Sequence, residues 1–252
     1  MLQYNLVCKK ERSFIMGVSI VLLSYKEAEN LKVLLPQIKE NIEKCTKDYD
    51  ILVIDTEETL DETPEVCKEF GAKYINQEEP HFGGAFRTAI KYADKEWFLI
   101  MDSDGSHPPK YIPDIYRKFV EGHYDVVIGS RYTKGGVSND AVSSRIMSHM
   151  LNFAYGIVIG VNAKDLSTDY RMYQTKQLKE VSLSCENYDV LEEVLLKLKL
   201  RKPNKKLKVG EVPITFSKRL YGESKRQLLK FILSYLKTII RLFFIRIGVV
   251  KA

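Results

Sequence analysis

The chain has 252 residues, of which 45% are hydrophobic and 29% are charged, and its formal net charge is +6. This length and balance fit one large domain or two small ones with a hydrophobic core. The four cysteines are scattered and form no CxxC pair, which argues against a zinc site or a disulfide framework and is typical of a reducing cytosol.

The N-terminal stretch "MLQYNLVCKKERSF" has no long apolar core and ends in charges, so we do not expect a signal peptide. We predict an extension over residues 1–16, one main domain over 17–225 and an amphipathic helix over 226–252. No internal repeat or low-complexity linker interrupts the chain.

The first half alternates short apolar runs with helical patterns. The predicted strands are 18–24, 49–55, 72–76, 97–102 and 124–130, and the predicted helices are 27–45, 63–70, 83–93 and 109–121. Apolar strands separated by helices predict an α/β fold with a mostly parallel sheet covered on both faces. Ligands of such sheets bind at the carboxyl ends of the strands, where Asp55, Asp102 and Arg131 fall.

The second half reads as a lobe added to the same sheet, without a domain boundary. The predicted elements are a helix over 141–158, a strand over 170–174, a helix over 190–200 and a strand over 207–213. Between residues 201 and 230 there are ten basic residues and two acidic ones. Such a segment suits phosphates or an anionic membrane face, or it is a solvated surface, and we expect no nucleic-acid partner.

The final stretch, "RQLLKFILSYLKTIIRLFFIRIGVVKA", carries too many cations for an ordinary transmembrane helix. On a helical wheel its polar and basic residues share one side: Arg226, Lys230, Ser234, Lys237, Thr238 and Arg241. A basic stripe on a broadly apolar helix favours binding at a membrane surface. Packing against a protein partner or the core of the chain would give the same pattern.

Two carboxylates, Asp102 and Asp104, follow the apolar run "WFLIM" at a predicted strand end. Carboxylates spaced in this way can converge on Mg²⁺ or Mn²⁺, hard cations that bridge to phosphate oxygens. The alternative interpretation is a solvated acidic turn, because an isolated DxD pattern is weak evidence.

Six segments, which follow one another along the chain, favour the metal site over the solvated turn. They are "VSIVLLSYKEAENL", "MDSDGSHPP", "VIGSRYTKGG", "RIMSHMLN", "DLSTDYRMY" and "EVPITFSKRLYGESK". Together they resemble an inverting family 2 glycosyltransferase of the GT-A fold, most similar to the dolichyl- or polyprenyl-phosphate mannose synthase branch. The resemblance covers residues 17–225, and the last segment is its most specific part.

The resemblance implies a role for each matching position. The implied nucleotide and donor residues are Ser24, Tyr25, Glu27, Asp55, Gly83, Gly84, Asp102 and Ser103. The implied metal ligands for Mg²⁺ or Mn²⁺ are Asp102, Asp104 and, as a weaker or water-mediated ligand, Ser106. The implied catalytic residues are Asp104, Arg131, Arg145 and Arg219. The implied acceptor and phosphate contacts are Ser148, Arg171, Ser224 and Lys225.

Several of these positions also have simpler explanations. Arg131 could pair with a surface carboxylate, Arg145 could be an ordinary helix charge, and Arg219 could belong to a basic surface. Asp169 and Arg171 could form a structural ion pair. We interpret His81 and His107 as non-ligands, because neither has a second ligand at metal spacing.

The chain departs from the family pattern at several positions. Thr56 and Glu62 replace an aspartate and a glycine in the segment expected to bind the base, and Lys26 replaces an asparagine. Ser106 stands where a glutamine is common, and Asp169 where a glycine is common. Such changes indicate an altered donor or acceptor, or a loss of activity.

The resemblance predicts transfer of a hexosyl group from a GDP- or UDP-sugar to a polyprenyl phosphate, at the cytosolic face of a membrane. A lipid monophosphate is largely ionised near neutral pH and can attack without a general base, whereas an alcohol acceptor needs one. The alternatives are a relative acting on a saccharide or another hydroxyl, and a catalytically weak sugar-nucleotide-binding subunit.

Overall fold

The computed structural model describes residues 17–139, 141–202, 205–221 and 228–249, and the side chains of the last helix from Tyr235 onwards. The strands are β1 (Val18–Leu23), β2 (Tyr49–Asp55), β3 (Lys73–Asn76), β4 (Trp97–Asp102), β5 (Val126–Ser130), β6 (Val137–Ser138), β7 (Arg171–Gln174), β8 (Val209–Pro213) and β9 (Thr215–Phe216). The helices are α1 (Ala28–Ile42), α2 (Thr63–Phe70), α3 (His81–Tyr92), α4 (Ile112–Gly122), α5 (Val142–Tyr155), α6 (Thr175–Lys179), α7 (Val190–Leu200) and α8 (Leu228–Arg246). A 3₁₀ turn (Pro109–Tyr111) precedes α4, and a π-helical turn (Gly156–Gly160) follows α5.

Seven strands form the central sheet in the order β3-β2-β1-β4-β7-β5-β8. The pairs among β3, β2, β1 and β4 are parallel, and so is the pair of β5 with β8. Strand β7 lies between β4 and β5 and runs antiparallel to both. A separate small sheet pairs β6 with β9 beside the end of β5.

Both faces of the sheet are buried, which explains the unbroken apolar runs in the sequence. Val21 and Phe98 belong to the core on one face, together with side chains of α3, α7 and α8. Ile20 and Leu22 belong to the core on the other face, with side chains of α1 and α4. Adjacent residues of one strand therefore enter opposite cores, as the pleat requires.

The fold confirms the predicted α/β class and the mostly parallel sheet. Every strand and helix predicted between residues 18 and 213 is present, with ends shifted by a few residues. The antiparallel orientation of β7, the small second sheet and helix α6 were not predicted. The expectations for residues 1–16 lie outside the described residues.

Helix α8 packs its inner face on the domain. Tyr235, Leu242 and Ile245 are buried against α7 and the π turn, and the buried Thr238 hydroxyl donates to Asp189. Arg241 contacts Ser184 and lies 3.5 Å from Glu193. Two members of the predicted polar stripe, Thr238 and Arg241, therefore face the domain. Within the described residues, no helix combines the length and the apolar character that crossing a bilayer requires.

Candidate active site

The candidate site lies at the carboxyl ends of β1 and β4, which are neighbours in the sheet. β4 ends at Asp102, and the next residue, Ser103, donates its hydroxyl to the carbonyl of Leu23 at the end of β1, at 2.7 Å. This bond holds the acidic turn, residues 102–106, against the end of the first strand.

Asp104 is the best-connected carboxylate of the turn. Its Oδ1 accepts from the backbone N–H of Ser106 at 2.9 Å and from the Ser106 hydroxyl at 2.5 Å, and its Oδ2 accepts from Arg219 at 2.9 Å. Burial acts to raise the pKa of Asp104, but the hydrogen bonds from Ser106 and the charge of Arg219 outweigh it, so the pKa lies below its ordinary value. The side chain is therefore an anion at neutral pH.

Residues 217–221 cover the acidic turn. The backbone N–H of Ser217 donates to the carbonyl of Ser106, and that of Leu220 donates to the carbonyl of Asp104, each at 2.9 Å. Gly105 has φ of 86°, and a Cβ there would lie 2.5 Å from the Leu220 side chain. The glycine therefore supplies both the left-handed backbone and the space for this cover.

Arg219 bridges two carboxylates from distant parts of the chain. Its guanidinium donates to Glu27 at 3.2 Å as well as to Asp104. Glu27 is buried and also accepts from Asn30, whose side-chain oxygen in turn accepts from the backbone of Tyr221 at 3.0 Å. A cleft of about 560 Å³ opens beside this bridge. Its walls are formed by Lys26, Glu27, Ala28, Glu29, Asn30, Asp61, Glu62, Arg219 and Tyr221.

A buried ion pair holds Arg131. Nε and one terminal nitrogen of its guanidinium each donate to Asp165 at 2.8 Å, in a two-pronged contact that suits guanidinium and carboxylate. Burial acts to raise the pKa of Asp165, but the hydrogen bonds and charge of Arg131 outweigh it, so the pKa is lowered. Arg131 also lies over the rings of Tyr132 and Phe216, at 5.0 and 5.2 Å.

His107 is buried and supports the acidic turn through a hydrogen bond to its backbone. The backbone N–H of Asp102 donates to its Nδ1 at 3.1 Å, and its Nε2 contacts the Thr168 hydroxyl at 3.1 Å. Asp102, His107 and Asp169 each offer a ligand atom within 4.8 Å of the others. Because both ring nitrogens already contact protein groups and burial lowers the pKa of His107, we interpret it as a neutral brace. That leaves the carboxylates of the turn and of Asp169 as oxygen donors for a hard cation.

The structure brings together Glu27, Asp104 and Arg219, of which the first and the last are 192 positions apart in the sequence. Asp102, Ser103 and Ser106 belong to the same turn. Ser24 is buried at the end of β1, whereas Tyr25 beside it is exposed. The alternatives of a solvated acidic turn and of a merely basic surface around Arg219 do not describe this arrangement.

Other predicted residues are further from the bridge. Arg145 and Ser148 are half-buried on α5. Asp55 is fully buried, and its Oδ2 accepts from the Tyr74 hydroxyl at 3.1 Å. Burial raises the pKa of Asp55. Its part in binding the base or ribose stays a prediction, and Ser224 and Lys225 lie outside the described residues.

The structure corrects the prediction that Arg171 binds the acceptor phosphate. Arg171 has no exposed surface, and its guanidinium donates to the carbonyls of Leu166, Thr168 and Leu191 and to the Tyr173 hydroxyl. Because Arg171 is fully buried and four of its N–H donors bond to protein groups, it fixes the loop before β7 and offers no surface to a ligand.

The explanation given for Gly83 and Gly84 also needs correction. Both lie in α3, and a Cβ on either would come within 2.0 Å of a backbone carbonyl oxygen, that of Cys185 or of Glu79. These glycines permit close packing of protein backbone, rather than the approach of a nucleotide.

Sequence reasoning missed three residues that shape the site. Asp165 fixes Arg131, Asn30 links Glu27 to Tyr221, and Asp61 accepts from the backbone of Ala28 at 3.1 Å at the start of α1. Asp165 is the first residue of the "DLSTDYR" segment, so a signal was present. Asn30 and Asp61 are ordinary polar residues whose proximity only the fold reveals.

An open α/β sheet that carries an acidic turn and an arginine bridge at its carboxyl edge defines the GT-A class of nucleotide-sugar transferase folds. The chain matches the family Glycosyl transferase family 2 over residues 19–182, and it belongs to that family.

Relatives agree with this assignment, and solved structures share the fold. The chain is 32% identical to dolichol-phosphate mannosyltransferase of Pyrococcus furiosus over 235 residues, which is 90% of this chain and 64% of that protein's length. It is 28% identical to undecaprenyl-phosphate mannosyltransferase of Micrococcus luteus, covering 83% of this chain and 87% of the relative. Glucosyl-3-phosphoglycerate synthase from Mycobacterium tuberculosis, solved with Mn²⁺ and UDP, superimposes with a TM-score of 0.69 at 15% identity, covering 92% of this chain and 80% of that one.

Proposed function

We propose that the protein transfers a hexosyl group, with inversion, from a GDP- or UDP-sugar to a polyprenyl phosphate, in a reaction that depends on Mg²⁺ or Mn²⁺. The observation that carries this proposal is the bridge from Glu27 through Arg219 to Asp104, beside an open cleft at the carboxyl edge of the sheet. The names of the Pyrococcus and Micrococcus relatives support the lipid-phosphate acceptor.

The acidic turn fits a divalent cation. Asp102 and Asp104 are partly exposed, and their oxygens are the donor type that Mg²⁺ and Mn²⁺ prefer. Ser106 is buried and orients Asp104, so we assign it to the support of that carboxylate. A cation bound here would neutralise charge on the departing nucleoside diphosphate.

Arg219 forms an ion pair with Asp104. Since the guanidinium is a quarter exposed and forms two ion pairs, it can exchange a carboxylate for a phosphate oxygen when the donor enters the cleft. Glu27 lies at the same place and offers acceptor oxygens to the ribose hydroxyls. These two side chains would then orient the donor.

The acceptor end of the site needs positive charge but no general base. A phosphate monoester is ionised at neutral pH, and arginines that hold it in line with the anomeric carbon suffice for attack. Arg131 is held rigidly by Asp165, and Arg145 lies on the helix that follows. We assign these two arginines to the acceptor phosphate.

The acceptor is a membrane lipid, so we place the protein at the cytosolic face of a membrane. Helix α8 supports this placement, because its outer face exposes four large apolar residues, Leu236, Ile240, Phe243 and Phe244, and the exposed Ile247 follows its last residue. Lys237 is exposed on the same helix. An apolar face with a cation beside it suits binding at an anionic lipid surface.

The activity is tested with radiolabelled GDP- and UDP-hexoses, a polyprenyl phosphate and either Mg²⁺, Mn²⁺ or a chelator. Label is expected to enter the organic phase only with a metal ion. Asp104→Asn should lower turnover at least about 100-fold, because one metal-ligating charge is lost, while the protein stays folded. Asp114→Asn, at an exposed position on α4, is the matched control and should behave as wild type.

Other outcomes would favour the alternatives. Transfer of label to a water-soluble saccharide but not to lipid would identify a hydroxyl acceptor. Binding of a sugar nucleotide without turnover on any acceptor would indicate a sugar-nucleotide-binding subunit. Wild-type turnover in Asp104→Asn would remove the metal assignment.

A further inference from the structure

The carboxylate of Asp169 lies close to that of Asp102, although the two residues come from different segments of the chain. Asp102 ends β4, and Asp169 lies in the loop that enters the neighbouring strand β7. Oδ2 of Asp102 is 3.3 Å from Nδ1 of His107, and Oδ1 of Asp169 is 3.4 Å from the same nitrogen. The fold therefore adds a carboxylate from a distant loop to the acidic turn.

The separation of the two carboxylates suits one shared cation. Two oxygens that bind the same Mg²⁺ ion lie at most about 4.2 Å apart, because each Mg–O bond is about 2.1 Å long. The ligand atoms of Asp102, His107 and Asp169 all lie within 4.8 Å of one another, so a side-chain shift of about half an ångström brings both carboxylates into reach of one ion. Asp169 is buried and Asp102 is partly exposed, so the pair is open to a cation from solvent.

His107 lies between the two carboxylates but does not neutralise them. Its Nδ1 accepts from the backbone N–H of Asp102 at 3.1 Å, so this nitrogen has no proton to donate to either carboxylate. Its other ring nitrogen, Nε2, contacts the Thr168 hydroxyl at 3.1 Å. Like charges that converge in a partly buried site repel each other, and a divalent cation between them would relieve this repulsion.

Protein contacts fix the loop that carries Asp169. Arg171 donates to the carbonyls of Leu166 and Thr168 at 2.5 and 2.6 Å. The backbone N–H of Leu166 donates to the side-chain oxygen of Asn152 at 2.9 Å. A ligand held on a fixed loop loses little conformational freedom when it binds a metal ion, so these contacts preorganise Asp169 for that role.

Ser106, the implied third ligand, is oriented towards Asp104. It is buried, and its hydroxyl and its backbone N–H donate to that carboxylate at 2.5 and 2.9 Å. Since Ser106 supports Asp104, the turn by itself offers two carboxylates to a cation. The aspartate at 169 stands where the family pattern has a glycine, so the chain gains an oxygen donor beside the turn.

We propose that Asp169 is a third carboxylate ligand of the divalent cation, which it holds together with Asp102 before the nucleotide sugar arrives. The site then carries one negative charge more than the two aspartates of the turn supply, and a higher charge count among the ligands raises the affinity for a hard cation. The inference deepens the proposed function and rests on its requirement for a divalent cation. It predicts that the cation stays bound between turnovers, rather than arriving and leaving with the nucleotide.

Binding of Mn²⁺ to the full chain tests this assignment in the absence of nucleotide and acceptor. Free Mn²⁺ gives an electron paramagnetic resonance signal that is lost on binding, so a titration measures the Kd directly. The wild type is expected to bind Mn²⁺ under these conditions. Asp169→Asn should raise the Kd at least about tenfold, because a neutral amide replaces an anionic ligand. Asp114→Asn, at an exposed position on α4, is the matched control and should bind Mn²⁺ as the wild type does.

Melting temperatures separate a metal ligand from a structural acid. Mn²⁺ stabilises the folded state that binds it, so the wild type should melt at a higher temperature when Mn²⁺ is added. Asp169→Asn should gain less from Mn²⁺, and Asp169→Gly, which introduces the residue of the family pattern, should behave in the same way. A purely structural acid would lower the melting temperature without metal and leave the Mn²⁺-induced rise unchanged.

Two results would overturn the inference. The first is wild-type Mn²⁺ affinity in both Asp169→Asn and Asp169→Gly while Asp102→Asn loses it. The second is a wild type that binds Mn²⁺ only after a nucleoside diphosphate is added, which would mean that the cation arrives with the nucleotide.

Failure of the inference and failure of the proposed function give different results. If the wild type transfers label to polyprenyl phosphate and both Asp169 variants bind Mn²⁺ normally, the function stands and the inference fails. If Mn²⁺ binding depends on Asp102 and Asp169 but no label is transferred to any acceptor, the inference stands and the function fails.

Discussion

Substitution of Glu192 by glutamine should stabilise the protein, and the gain should grow as the pH rises. Glu192 lies in the first turn of α7 with no exposed surface. Among the described residues, neither of its carboxylate oxygens has a hydrogen-bond partner. Burial therefore raises the pKa of Glu192 from 4.5 to about 8, although the charge of Arg171 acts in the opposite direction.

The sign and size of the effect follow from proton linkage. The folded state binds this proton more tightly than the unfolded state, so the contribution of Glu192 to stability falls as the pH rises from about 4.5 through about 8. One pKa unit corresponds to about 1.4 kcal/mol, which gives a loss of about 4 kcal/mol between pH 5 and pH 9. Glutamine cannot ionise, so Glu192→Gln should match the wild type near pH 5 and exceed it by about that amount at pH 9.

The neighbouring Glu193 supplies a control of opposite sign. It accepts from the backbone N–H groups of Ser184 and Cys185 at 2.9 and 2.8 Å and pairs with Lys197 at 3.1 Å. Burial acts to raise the pKa of Glu193, but these partners outweigh it and the pKa is lowered. Glu193→Gln should destabilise the protein by about 2–3 kcal/mol at neutral pH, and the penalty should disappear in acid.

The free energy of unfolding is measured for the wild type, Glu192→Gln and Glu193→Gln by urea unfolding at pH 5, 7 and 9, followed by circular dichroism and by Trp97 fluorescence. A stability difference between Glu192→Gln and wild type that does not change with pH would refute the reasoning. So would a loss of stability in that variant at pH 9, because it would mean that the carboxylate is ionised and paired in the fold.

Three further substitutions test the backbone and the ion pairs of the site. Asp165→Asn should lower the free energy of unfolding by about 3 kcal/mol and lower kcat, because the buried charge of Arg131 loses its carboxylate counterion; an unchanged melting temperature would contradict this. Lys26→Gly should raise the free energy of unfolding by about 1 kcal/mol, because Lys26 has a left-handed φ of 58°. As the control, Lys32→Gly inside α1 should lower the free energy of unfolding by about 1 kcal/mol. Gly105→Ala should lower the free energy of unfolding by about 2 kcal/mol or more and should also lower turnover. Adding Leu220→Ala should restore part of the stability and part of the turnover, because it removes the side chain that the new Cβ would meet. If it restores neither, the φ of 86° causes the whole loss.

The buried parallel strands of the sheet could be predicted from the sequence. Parallel strands buried on both faces appear as uninterrupted apolar runs, so β1, β2 and β4 were evident, and so was the acidic turn that follows β4. The direction of β7 was not, because a four-residue buried strand reads the same whether it runs parallel or antiparallel to its neighbours.

The site was predictable where a residue type carries its own chemistry. Paired aspartates and clustered arginines point to metal and phosphate, and Asp104 and Arg219 do meet. Arg171 misled because a buried arginine and a phosphate-binding arginine have the same sequence signature, and only its contacts with three carbonyls distinguish them. The glycines at 83 and 84 misled for a similar reason, since tight backbone packing and ligand approach both require the absence of Cβ.

The reversed direction of β7 determines which connections can vary. Strand β7 runs antiparallel to both β4 and β5, and its first residue, Arg171, pairs with Ile100 and Ile128 near the carboxyl ends of those strands. The loop that enters β7 therefore lies at the same edge of the sheet as the acidic turn. The connection that leaves β7 lies at the opposite edge. Exchanging residues 161–169 between relatives should therefore transfer preference for one acceptor over another. Length changes after Gln174 should leave the reaction untouched and register only as stability.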